Sequence, residues 1–169
     1  DTLTDAVRNG GLVGQRPVED RDPAWFVGFI AAMHRRAVKE APVIVSSLDL
    51  SGVSRVLDVG GGSGAFSMAF VKARDSIQAT VFDLPNVVSL AQGYIEKEGL
   101  SHRIDTVTGD YNKDELPHGY DLAFLSAIIH SNSFKQNQSL FLKIGEALNP
   151  GGKIVVSDFI MNEDRTSPE

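Results

Sequence analysis

A chain of 169 residues with 42% hydrophobic and 22% charged side chains has the size and balance of one globular domain with a layered core. Its net charge of −6 and pI near 5.2 argue against nucleic acid or an anionic membrane as the main partner. The absence of cysteine excludes disulfides, cysteine nucleophiles and thiolate metal sites, and it fits a cytoplasmic address.

The longest basic cluster is Arg35-Arg36 with Lys39 one turn on, which reads as a solvated helix face. No run approaches about 18 apolar residues, so no membrane-spanning helix is expected, and no signal peptide is visible. The chain opens at Asp1 and closes on the polar "DRTSPE". Both ends are expected to be cuts in a longer protein.

Residues 1–22 read as a short helix followed by a Gly-, Asp- and Arg-rich loop. From Pro23 to about Leu48, the residues Trp25, Phe29, Met33, Ala37 and Val38 recur at helical spacing. Pro23 suits a first helical turn, and Asp22 suits its N-cap. Pro42 is expected to break or kink the stretch, with a second helix running on to a loop at Ser51-Gly52. Residues 1–50 thus read as a helical segment and linker, and residues 51–169 as the main domain.

From there strands and helices alternate. "RVLDVG", "IQATVFDL", "RIDTVTGDY", "YDLAFLSAII" and "KIVVSDFIM" read as strands. "GAFSMAFVKAR", "PNVVSLAQGYIEKEG" and "SFKQNQSLFLKIGEALNPGG" read as the helices between them, the last closed by Pro-Gly-Gly. The pattern implies a doubly wound α/β fold with a parallel sheet. Ligands bind such sheets outside the carboxyl ends of the strands.

The glycine run "VGGGSGA" lies at that end of the first strand. Read as Gly60-x-Gly62-x-x-Ala65, it matches a dinucleotide fingerprint, and Asp83 stands where an acidic residue would hold a ribose. Asp58, two residues before the glycines, can reach the loop to orient backbone amides or a ligand's ammonium group. The third strand ends in "GDY", which puts Asp110 and Tyr111 on the same rim. Three acidic residues on one rim suit a cationic ligand and would repel a pyrophosphate.

Together "LDVGGGSGAFS", "DLP", "GDY" and "YDLAFLSAIIH" resemble the S-adenosylmethionine-dependent O-methyltransferases of the plant caffeate and acetylserotonin type and their bacterial relatives. The resemblance covers about residues 23 to 165. It implies a Rossmann-like class I methyltransferase fold with strand order 3-2-1-4-5-7-6. It further implies an N-terminal helical dimerisation domain and a C-terminal strand pair, both missing here, and a homodimeric full-length enzyme. The remaining order, 3-2-1-4-5, leaves the fifth strand as an exposed apolar edge.

By this similarity S-adenosylmethionine lies against Asp58, Gly60, Gly61 and Gly62. Asp83 takes its ribose hydroxyls, with Leu84 beside the adenine, which Asp110 and Tyr111 frame. Ser126 stands where plant members carry a lysine. Phe29 and Met33 match the segment that contacts a small-molecule acceptor, and His130 matches the histidine that binds and deprotonates the acceptor hydroxyl. In those enzymes carboxylates from the next residue and from further downstream orient the histidine. Here "HSNS" offers Ser131 and Asn132 instead, and the downstream carboxylate is expected past the chain's end. His34, His102 and His118 are expected at the surface, and no cluster has metal-ligand spacing.

Overall fold

The computed structural model describes residues 2–9, 22–159 and 162. Helix α1 (Thr2–Asn9) is the short opening helix; the loop expected after it lies outside the described residues. Helix α2 (Pro23–Ser46) starts as expected, the Asp22 carboxylate accepting from the amides of Ala24 at 2.9 Å and Trp25 at 3.1 Å.

Pro42 does not break α2, which runs through it as one helix. The missing amide and ring clash cost about 3 kcal/mol in a helix interior. Tertiary burial outweighs that, because Ala41 and Val45 pack into one core with Phe66, Met68 and Phe70.

Five parallel strands form the sheet: β1 (Arg55–Val59), β2 (Gln78–Asp83), β3 (Ile104–Thr108), β4 (Tyr120–Ser126) and β5 (Leu148–Ser157). Their order is β3-β2-β1-β4-β5, as the resemblance implies. Helices α3 (Ala65–Ala73), α4 (Pro85–Lys97) and α5 (Phe134–Ala147) connect β1 to β2, β2 to β3 and β4 to β5, while a loop joins β3 to β4.

A sheet covered on both faces needs apolar strands, and Val56, Leu57, Val59, Leu122, Ala123, Phe124 and Leu125 are all fully buried. On one face α2, α3 and α4 pack over Phe124, whose ring meets Phe66 at 4.6 Å and Phe70 at 5.3 Å. On the other, Leu140, Ile144 and Ala147 of α5 cover Leu57, Val59 and Leu125. Truncating a fully buried phenylalanine such as Phe124 costs about 3–5 kcal/mol.

Some boundaries differ from expectation: strand β3 stops at Thr108, leaving the expected "GDY" ending just beyond it. Strand β4 stops at Ser126 rather than running on through Ile129; Ala127 adopts φ 56, and Ile129–Ser131 form a 3-10 turn. The apolar run "SAII" carries no marker of that turn. Strand β5 begins at Leu148, so the expected Pro-Gly-Gly terminator lies inside it. Tyr120 pairs with Leu148 while Leu122 pairs with Lys153, and residues 149–152 bulge out of register. Among the described residues β5 is an edge strand, with Ile154 40% exposed.

Candidate active site

The carboxyl ends of the strands and one face of α2 enclose a cavity of about 510 Å³. Asp58, Gly60, Gly61 and Gly62 line it from β1 and its loop, Asp83 and Leu84 from the end of β2. Asp110 and Tyr111 enter beyond β3, Ser126 at the end of β4, and Phe29 and Met33 from α2. His130 does not line the cavity. It stands in the 3-10 turn at the edge, joined to Asp158, which does.

Two glycines show why the loop needs them. A side chain on Gly60 (φ 65) would run into Ile128 Cδ1, so this position is closed by the protein itself. Above Gly62 (φ 58) there is open space within 4 Å, and its amide donates to Asp83 Oδ2 at 2.8 Å. A ligand can therefore lie directly on the backbone at Gly62.

Asp83 Oδ1 also accepts from the Leu84 amide at 2.7 Å. Burial pushes its carboxyl up, against the lowering effect of those two amides. Each oxygen keeps lone-pair capacity for a further donor.

Asp58 is buried behind Gly61, and its Oδ2 accepts from Ser67 Oγ at 2.8 Å and the Ser67 amide at 3.2 Å. It holds the first turn of α3 rather than the loop amides expected from the sequence. Burial raises its carboxyl to about 6, with Asp83 adding to the rise and the Ser67 bonds opposing it. Burial also pushes Asp110 up, yet Lys113 at 2.8 Å, the Asn112 amide and the fields of Lys113 and Lys143 leave it below the ordinary value.

His130 Nδ1 lies 2.7 Å from Asp158 Oδ1. The Asp158 side chain is 1% exposed, the His130 ring 46%. The other oxygen, Oδ2, accepts from the amides of Ile129 at 2.9 Å and His130 at 3.4 Å, and Oδ1 also accepts from Phe159 at 2.8 Å. Burial acts to raise Asp158, but the Phe159 amide and the His130 ring outweigh it and hold the carboxyl below its usual range. An ionised aspartate accepting from Nδ1–H leaves Nε2 with a free lone pair, the arrangement of a general base.

A carboxylate expected only beyond the chain's end thus lies against His130 within it, at Asp158 directly after β5. The sequence held a usable signal: β5 neighbours β4, so the residue after it emerges beside the one after β4.

His34 corrects another expectation. It is half-buried, not a surface residue: its Nδ1 lies 2.8 Å from Ser63 Oγ and its ring stacks on Tyr94 at 3.9 Å. Burial lowers its pKa, Glu98 opposing and Lys97 assisting. The contact ties α2 to the glycine loop. Among the described residues no group of three or more His, Asp or Glu side chains is placed to hold a metal ion, and no helix is long and apolar enough to cross a membrane.

Known proteins resemble the chain in sequence and fold. The chain is 34% identical to a 3-hydroxy-5-methyl-1-naphthoate 3-O-methyltransferase of Streptomyces sahachiroi, over 98% of the chain and 49% of the relative. It is 34% identical to an L-tyrosine C(3)-methyltransferase of Streptomyces lavendulae, over 98% of the chain and 48% of that protein. The solved structure of human N-acetylserotonin methyltransferase in complex with SAM (S-adenosylmethionine) superposes with a TM-score of 0.83 at 29% identity, covering 98% of the chain and 50% of that structure. The chain spans about half the length of the relatives it matches most fully. The O-methyltransferase domain model matches residues 3–169, and the chain belongs to that family.

Proposed function

We propose that this chain is the S-adenosylmethionine-binding, catalytic part of an enzyme that methylates a hydroxyl of a small aromatic molecule. The observation that carries the reading is the His130–Asp158 pair at the edge of a cavity floored by the glycine loop. The residues present fit the cofactor. Open space lies over Gly62, and Asp58, Asp83, Asp110 and Asp158 give the cavity the negative character that a sulfonium and an ammonium group require.

S-adenosylmethionine supplies an electrophilic methyl group when bound. Asp83 would hold its ribose hydroxyls beside Leu84, Asp110 and Tyr111 would frame its adenine, and Ser126 would close that side. Phe29 and Met33 would bear on the acceptor. Asp158 holds the His130 ring with Nδ1 inward, and Nε2 takes the proton from the acceptor hydroxyl. The relative that methylates carbon C(3) of tyrosine favours a second outcome of the same deprotonation, transfer to a ring carbon next to a phenol oxygen. In this reading residues 51–169 bind the cofactor, α2 covers it, and the full-length enzyme is a cytoplasmic homodimer acting on small molecules rather than nucleic acid.

Calorimetric titration of the full-length enzyme with S-adenosylhomocysteine and with NAD tests the cofactor. Binding of the first alone is expected; binding of NAD alone would refute the reading. Methyl transfer to a panel of phenols, with product analysis by mass spectrometry and NMR, separates oxygen from carbon transfer and an enzyme from a binding module.

A further inference from the structure

We propose that Arg36 forms a carboxylate-binding subsite at the acceptor side of the cavity, so that the acceptor is a hydroxyaryl carboxylic acid. The proposal rests on the methyl-transfer reading above and names its substrate class. The charged groups on the cavity wall are acidic but for one, with Glu40, Asp58, Asp83, Asp110 and Asp158 all contributing. Among the described residues that line it, Arg36 is the one lysine, arginine or histidine. A neutral acceptor has no need of a cation there, whereas an anionic one finds no other favourable charge on this wall.

The position of Arg36 assigns it to the acceptor side. Its Cζ lies 5.3 Å from the centre of the Phe159 ring, and that ring meets His130 edge-on at 6.1 Å. The guanidinium therefore shares a neighbour with the base that would deprotonate the acceptor. It stands one turn along α2 from Met33, and Phe29 precedes Met33 by another turn. Phe29, Met33 and Phe159 offer apolar surface for an aromatic body beside the positive group.

The side chain is also prepared for the task. Nε donates to Glu40 Oε1 at 2.8 Å, which fixes the plane of the group. The terminal nitrogens have no hydrogen-bond partner among the described residues, leaving donors that match the two oxygens of a carboxylate. Glu40, in direct contact, offsets much of the charge, so Arg36 favours a ligand that engages its terminal nitrogens over anions held by the field alone.

A carboxylate could also come from the amino-acid end of the cofactor, and the test separates the two sources. The full-length enzyme, saturated with S-adenosylhomocysteine, is titrated with 4-hydroxybenzoate, 3-hydroxybenzoate and 3-hydroxy-2-naphthoate, each beside its primary carboxamide. At least one acid is expected to bind about tenfold or more tightly than its amide. Arg36→Gln should bring the pair to parity, Arg36→Lys should keep part of the preference, and neither should change affinity for S-adenosylhomocysteine. Arg36 and Glu40 are half-exposed, so the variants are expected to fold. No acid preferred by the parent, or a preference that survives Arg36→Gln, overturns the proposal. So does weakened S-adenosylhomocysteine binding in Arg36→Gln, which would give the arginine to the cofactor. A parent that does not bind S-adenosylhomocysteine at all refutes the methyl-transfer reading itself, and this proposal with it.

Discussion

The carboxylate of Asp158 joins the imidazole of His130 to the amides of Ile129 and Phe159, so one buried acid fixes both the ring and the backbone that carries it. His130→Ala in the full-length enzyme is expected to lower turnover roughly 10²–10⁴-fold, the usual worth of a positioned base, with cofactor affinity unchanged. Asp158→Ala should also lower turnover, by less, and abolish the downfield NMR signal of the proton bound at Nδ1. Activity retained in His130→Ala toward a weakly acidic phenol would show that positioning alone carries the catalysis.

Asp83 serves two ends at once: it accepts the Gly62 amide and faces the cavity. Asp83→Ala is expected to weaken S-adenosylhomocysteine binding by about 1.5–3 kcal/mol, the worth of hydrogen bonds to a charged acceptor. Calorimetry measures this directly. Unchanged affinity would remove Asp83 from the ribose.

Gly62 has room for a side chain but not the backbone for one. Gly62→Val forces a β-branched residue to φ 58 and places methyl groups where the ligand lies. Cofactor binding should be lost while the far-ultraviolet circular dichroism stays close to that of the parent. Full binding by the variant would refute the loop's role.

The raised carboxyl of Asp58 makes stability depend on pH in a defined direction. Between the ordinary aspartate value of 3.8 and about 6, the folded state holds a proton that the unfolded chain has released. Stability from this group therefore falls as pH rises across that window and is level above it. Asp83, also raised, acts in the same sense, whereas His34, lowered, costs stability as pH falls below its ordinary value of 6.5. Asp49 and Asp121 lie at about 2, so their stabilising effect is lost as pH falls from 3.8 to about 2. Asp49 owes its position first to the Ser51 bonds; Asp121, pushed up by burial, is brought down by Asn149 and Ser54. Comparing Asp58→Asn with the parent isolates one group. The variant should gain on the parent by roughly 2 kcal/mol between pH 4 and pH 6 in denaturant melts.

The parallel sheet and the strand–helix alternation were readable because buried parallel strands are continuous apolar runs and the glycines mark where the first one ends; the strand order came with the family resemblance. The acids at the strand ends were readable for the same reason, since residues just past parallel strands share one rim. Pro42 misled because helix propensity is local, while the packing of Ala41 and Val45 that overrides it is not. The turn after Ser126 was hidden by its composition: Ala127 takes a left-handed φ that alanine does not advertise. His34 sits in an ordinary helical sequence, and only the approach of α2 to Ser63 and Tyr94 gives it partners.

Because the His130–Asp158 pair bridges the ends of two adjacent strands, its geometry depends on how those strands are aligned. From Leu122–Lys153 to Ser126–Ser157 the alignment is regular, and the slack lies upstream, in residues 149–152. Changes in length have unequal consequences as a result. A residue added within the Pro150-Gly151-Gly152 bulge can be absorbed there, leaving the pair in place. One added between Lys153 and Asp158 turns every later side chain to the opposite face and carries the aspartate away from its histidine.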